Sequence, residues 1–85
     1  MKIEVFGPGC AKCQRSVEVA QAFLTANGLA GEVLKHSDLA TMTERGVLLT
    51  PTTMIDGEIL VEGRSLREAD LTAWWAAQRG KGSRS

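Results

Sequence analysis

Three observations predict an α/β fold of order βαβαββα, with a four-stranded mixed sheet carrying helices on both faces. Residues 2–6 alternate polar with apolar and stop at Gly7-Pro8-Gly9, residues 11–27 contain neither breaker, and an Asp-Gly pair divides two strand-like runs at residues 52–62. Eighty-five residues make one domain, and a chain of this size buries only about 60–65% of its unfolded surface, so its core has to be economical. Hydrophobic residues at 44% and charged residues at 24% place it in the globular range. Residues 1–79 are expected to form the domain and 80–85, which hold no apolar side chain, a flexible C-terminal tail.

Taken in order, Lys2-Ile3-Glu4-Val5-Phe6 is the first strand and Gly7-Pro8-Gly9 the turn that ends it. Cys13, Val17, Ala20 and Leu24 recur at steps of four, three and four along the next stretch, which lines them up on one side of a helix closed by Gly28. Gly31 to His36 reads as the second strand, with Val33 and Leu34 at its centre. Ser37 or Asp38 then caps a short helix through Arg45, with Leu39 and Met42 facing inward and Gly46 ending it. The two runs of the hairpin are Thr52-Thr53-Met54-Ile55 and Glu58-Ile59-Leu60-Val61-Glu62, joined by Asp56-Gly57, the pair that a type I′ turn favours. Ser65-Leu66-Arg67-Glu68 has the spacing of a capping box for the last helix. Trp74 and Trp75 are neighbours on that helix, so one is expected to pack and the other to lie partly exposed. The first strand, helix and second strand make a parallel crossover, and the hairpin adds antiparallel pairing.

Charge and hydropathy narrow the function. Ten basic residues balance ten acidic ones, which leaves no overall field to draw nucleic acid or an anionic membrane. The apolar runs fall far short of the roughly 20 residues a membrane span needs, and MKIEVF carries an acid where a signal peptide is apolar. A cytoplasmic monomer is expected. In a reducing compartment a lasting disulfide is uncommon, and closing a four-residue loop would contribute only about 2 kcal/mol.

The two cysteines, in GPGCAKC at residues 7–13, are the chemical centre of the chain. By position they are unequal: Cys10 falls at the start of the first helix, after an open glycine turn, whereas Cys13 belongs to the buried stripe. A helix N-terminus offers partial positive charge and unpaired N–H groups that stabilise a thiolate. Lys12 adds charge, though an exposed lysine contributes little. The expected chemistry is attack by the Cys10 thiolate on a disulfide, giving a mixed disulfide that Cys13 then resolves, leaving Cys10–Cys13 oxidised.

With these residues in view the chain resembles the thioredoxin superfamily, and most closely its small glutaredoxin-like thioredoxins, the redox-active disulfide proteins. The resemblance runs from Met1 to about Arg79 and rests on the strand, glycine turn and Cys10-Ala11-Lys12-Cys13, on Gly46-Val47 leading to Thr50-Pro51, and on Asp56-Gly57 at the hairpin tip. It implies a thioredoxin-like fold and a disulfide reductase with no bound cofactor or metal. The substrate would be a disulfide-containing protein or small molecule, and a reductase or low-molecular-weight thiol would supply electrons. It also implies that Pro51 is cis, packs against the cysteines and keeps metal away, while Thr50 offers its backbone to an extended substrate segment. Glu4, six residues before Cys10, stands where thioredoxins carry a buried acid that relays a proton to the second cysteine. Such an acid needs a raised pKa; the plainer reading is a solvated strand residue beside Lys2. His36, the only histidine, is expected at a strand end on the surface.

Two other functions compete. Copper-chaperone domains also place C-x-x-C between a first strand and helix, and paired thiolates suit Cu(I), but their element order is βαββαβ. A thiol redox sensor or adaptor would keep the fold without general reductase activity.

Overall fold

In the computed structural model residues 1–9 and 11–82 are described, with side chains to Gln78; Cys10 and Ser83–Ser85 lie outside the described residues. Among the described residues the order is β1 (Lys2–Phe6), α1 (Ala11–Ala26), β2 (Glu32–His36), α2 (Leu39–Glu44), β3 (Thr52–Ile55), β4 (Glu58–Glu62) and α3 (Glu68–Gly82). The sheet runs β2-β1-β3-β4. β1 pairs parallel with β2, placing Glu4 opposite Leu34 and Phe6 opposite His36. It pairs antiparallel with β3, which in turn pairs antiparallel with β4 across a register shift between Thr53 and Met54. No helix among the described residues is long and apolar enough to cross a membrane.

Side chains that alternate along a strand divide the core into two layers. Ile3, Ile55 and Val61 meet Ala20, Phe23 and Leu24 of α1 and Leu71 of α3 on one face, with Leu66 from the loop before α3. On the other face Phe6 and Met54 meet Met42 of α2, and Val47 packs against them. The second layer is too small to cover another apolar residue one turn earlier, so Leu39, expected to face inward, is 75% exposed.

Helix ends explain where the chain turns. After α1, Gly28 takes a left-handed φ of 61°, and the N–H groups of Gly28 and Leu29 donate to the carbonyls of Thr25 and Leu24. After α2 the pattern repeats: Gly46 at φ 73°, with Gly46 and Val47 donating to Thr43 and Met42. Both are Schellman terminations, each followed by an apolar residue folded back on its core. Asp38, rather than Ser37, caps α2 by accepting from the Thr41 N–H. At the hairpin tip Asp56 and Gly57 both have positive φ, 49° and 86°, as a type I′ turn requires.

The last helix departs from expectation at both ends. It begins at Glu68, and Asp70, instead of Glu68, reaches back to accept from the Arg67 N–H while Arg64 donates to both its oxygens. The helix starts later than the Ser65–Glu68 box would place it, and a tertiary contact uses the backbone there: the Leu66 N–H donates to Oγ of Ser16 on α1 at 2.9 Å. At the other end α3 runs to Gly82, into the segment expected to be a flexible tail. Trp74 and Trp75 are both half-buried, their rings stacked at 6.4 Å, so neither is singled out for the core.

Ser16 is fully buried, and its hydroxyl also donates to the Lys12 carbonyl. Ser16→Ala leaves the Leu66 N–H buried without its acceptor, which typically costs about 1–3 kcal/mol. Urea unfolding of the variant checks this: a midpoint equal to that of the parent chain shows that the latch contributes nothing.

Candidate active site

At the carboxyl end of β1 the Gly7 N–H donates to the His36 carbonyl at 2.9 Å, carrying the parallel pairing one residue past the strand. Gly9 turns the chain with φ 87°, and α1 starts at Ala11. Cys10, the expected nucleophile, is the residue between them and lies outside the described residues. α1 has no acidic residue in its first turn, so its dipole is not opposed there.

Cys13 is 0% exposed, in keeping with its place on the buried stripe. Its Sγ occupies the space that a Cβ on Gly7 would take, and the same Cβ would lie 3.8 Å from Cα of Pro51. Glycine at position 7 is therefore required by sulfur, the strand end having to leave room for it. The stripe itself is fuller than its sequence outline: Ser16 and Phe23 are buried with Cys13, Ala20 and Leu24, while Val17 is only half-buried.

The Thr50–Pro51 peptide is cis, the isomer the resemblance implies. Pro51 is buried and Thr50 exposed. Two bonds hold the loop: the Gly63 N–H donates to the Pro51 carbonyl at 2.9 Å, and Thr52 Oγ1 donates to the Leu49 carbonyl. Gly7, Cys13 and Pro51 are thus brought together, with Thr50 open beside them. Lys12 is exposed on the outer side of α1.

Glu4 is 2% exposed, not a solvated strand residue. Arg45, the C-cap residue of α2, donates to both its oxygens at 2.7 Å, and His36 Nε2 lies 2.9 Å from one of them. The Arg45 guanidinium also sits 5.4 Å from the Phe6 ring centroid, and the His36 ring stacks on Phe6 at 4.8 Å. Arg45 holds the Glu4 carboxyl down to about 2, outweighing the upward push of burial, with His36 assisting. A proton relay needs the opposite shift. Alternation along β1 also puts Glu4 on the sheet face that carries α2, across from the face that carries α1 and Cys13. The relay expected of Glu4 is corrected: its carboxylate is an anchor for Arg45.

Together these are a glycine turn into a helix, a buried sulfur in that helix's first turn and a cis proline beside the turn. The thioredoxin domain model matches residues 1–76. The chain belongs to the thioredoxin domain family. It is 33% identical over 71 residues to a thioredoxin of Methanothermobacter thermautotrophicus, covering 84% of this chain and 92% of the relative. It is 32% identical over 62 residues to a thioredoxin of Methanocaldococcus jannaschii, covering 73% and 71%. Thioredoxin 1 of Thermosipho africanus superposes over the whole of both chains with a TM-score of 0.59 at 17% identity, a likeness of fold.

Within this thioredoxin fold two residues of the Glu4 cluster escaped the sequence reading. His36 could have been found, because in a parallel pair the residue opposite Phe6 shares a face with Glu4, two positions back. Arg45 could not, since nothing local says that a helix C-cap will reach a strand 41 residues earlier. Gly7 carried no signal beyond its place in a turn.

Proposed function

We propose that the chain is a thiol-disulfide oxidoreductase of the small, glutaredoxin-like kind, working through a Cys10/Cys13 cycle in the cytoplasm as a monomer. Family membership supports the general activity. The single observation that carries the mechanism is the sheltered Cys13 sulfur, packed over Gly7 near Pro51 in the first turn of the helix that Cys10 precedes.

Cys10 attacks as the thiolate, one substrate sulfur leaves as a thiolate and is protonated by solvent, and a mixed disulfide forms. Cys13 then loses its proton to solvent or to the departing sulfur and attacks Cys10 Sγ. The second substrate sulfur leaves. The substrate has gained two electrons and the Cys10–Cys13 pair has lost two, to be restored by a reductase or a low-molecular-weight thiol. The exposed Thr50 main chain receives an extended stretch of substrate beside Pro51. Glu4, already ionised and held by Arg45, takes no part in moving the Cys13 proton.

The Cu(I)-chaperone reading fits less well, since α2 intervenes between β2 and β3 where that fold runs strand to strand. The decisive experiment is dithiol-driven reduction of an insulin-type disulfide by the parent chain, Cys10→Ser and Cys13→Ser. Cys10→Ser is expected to abolish turnover and Cys13→Ser to accumulate a mixed disulfide through Cys10. Full dithiol turnover by Cys13→Ser overturns the mechanism, and a parent chain that retains Cu(I) against a chelator but turns nothing over replaces the function.

A further inference from the structure

The end of α1 holds a reactive pair of residues in an unreactive arrangement. Asn27 is the only asparagine of the chain and is followed by glycine. Both residues are exposed, and no described residue beyond the chain neighbours comes within 4 Å of where a Cβ of Gly28 would stand. An asparagine carboxamide is open to attack by the next backbone nitrogen, and glycine, with no side chain, hinders that nitrogen least. In this fold each partner is held. Asn27 Nδ2 donates to the Phe23 carbonyl at 2.9 Å, which draws the carboxamide back along the helix. The Gly28 N–H donates to the Thr25 carbonyl at 3.2 Å and the Leu29 N–H to that of Leu24 at 3.0 Å. Leu29 then packs against the core layer on α1.

We propose that Asn27 is a site of spontaneous deamidation, gated by unwinding of the last turn of α1. The inference is independent of the thiol chemistry. Once the turn opens, the Gly28 nitrogen gives up its proton to water or hydroxide and bonds to Cγ of Asn27. The Cγ–Nδ2 bond breaks, and Nδ2 takes a proton from water and leaves as ammonia. Water then adds to one of the two carbonyls of the succinimide ring, giving either aspartate or the isomer in which the main chain runs through the side-chain carbon. No oxidant or reductant is involved. Either product resists reclosure. A carboxylate can no longer donate to Phe23, and it faces the negative end of the helix dipole with no basic residue in the last turn of α1 to offset it. The isomer also inserts an extra main-chain carbon into a turn whose closing hydrogen bonds depend on its length. Deamidation therefore marks chains that have opened at this end.

The test incubates the reduced full chain at mildly alkaline pH in buffer, in a series of urea concentrations below its unfolding transition, and in urea beyond it. Loss of the Asn27 amide is read by peptide mass spectrometry, with the two products separated by chromatography. Reaction in unfolding urea is expected to be at least about tenfold faster than in buffer, the factor that an opening free energy of about 1.4 kcal/mol imposes. Below the transition the rate is expected to stay nearly flat, since a frayed turn exposes little surface. Gly28→Ala, which crowds the attacking nitrogen, is expected to slow the reaction in unfolding urea. Asn27→Asp is expected to unfold at lower urea than the parent chain.

Equal rates in buffer and in unfolding urea overturn the gating, and an Asn27 that keeps its amide in unfolding urea removes the site. A rate that climbs below the transition with the slope of global unfolding shows that the whole domain has to open, and overturns a gate confined to the last turn. An unslowed Gly28→Ala excludes attack by that nitrogen. An unchanged Asn27→Asp midpoint shows that the product does not loosen the turn.

Discussion

Arg45→Ala is expected to lower the unfolding free energy by about 3 kcal/mol, a large share of what so small a domain holds. Deleting one partner of a buried ion pair typically costs about 3–5 kcal/mol; the lower end applies because the Arg45 side chain is 34% exposed, so water can partly replace it. What remains is a carboxylate 2% exposed with only His36 against it. The pH dependence separates this cause from lost packing. In the parent chain the Glu4 pKa is depressed from 4.5 to about 2, so its stabilising contribution is complete above about pH 4.5 and disappears as the pH falls through about 2. In Arg45→Ala burial is no longer outweighed, the carboxyl shifts upward, and stability is expected to rise as acidification from neutrality neutralises it. Urea unfolding of both chains at a series of pH values reads the two slopes. Parallel slopes would mean that Arg45 acts through packing instead of through its charge.

Gly7→Ala is the second large effect. The new methyl falls on Sγ of Cys13, with Cα of Pro51 also close, so something must move. Neither neighbour yields easily, one being in the first turn of α1 and fully buried and the other held through its carbonyl by Gly63. Overpacking of this kind costs about 1–3 kcal/mol and sometimes more. If the displaced atom is the resolving sulfur of the proposed cycle, dithiol turnover is expected to fall along with stability. A Gly7→Ala/Cys13→Ala double variant isolates the clash: removing the sulfur should return at least about 1 kcal/mol of the loss. Strict additivity of the two changes would show that the methyl strains the backbone turn and leaves the sulfur where it was.

The Glu4 anchor also bears on the proposed cycle. An acid held near pKa 2 is a weak base at neutral pH, so the anchored Glu4 ties α2 to β1 and, in that proposed cycle, takes no part in moving the Cys13 proton. The anchor has a reach beyond its own contacts. Arg45 is followed by Gly46 and Val47, whose backbone closes α2, and then by the short loop that ends at Pro51. Holding the start of that loop helps to fix where Pro51 at its end sits beside Gly7.

Much was legible from sequence alone because it depends on neighbours. Strand alternation, a stretch free of breakers, left-handed glycines after two helices and Asp-Gly at a hairpin are decided by the steric freedom of a few consecutive residues, and all appear where expected. So does the burial of Cys13, which its position on a helical stripe assigns to the interior. Tertiary structure decided the rest. The pKa of Glu4 depends on a guanidinium 41 residues away, the pairing of the Leu66 N–H before α3 on a serine hydroxyl 50 residues back, and the exposure of Leu39 on how little apolar surface faces α2. Each is an energy between groups brought together only by folding, and no local pattern encodes their distance.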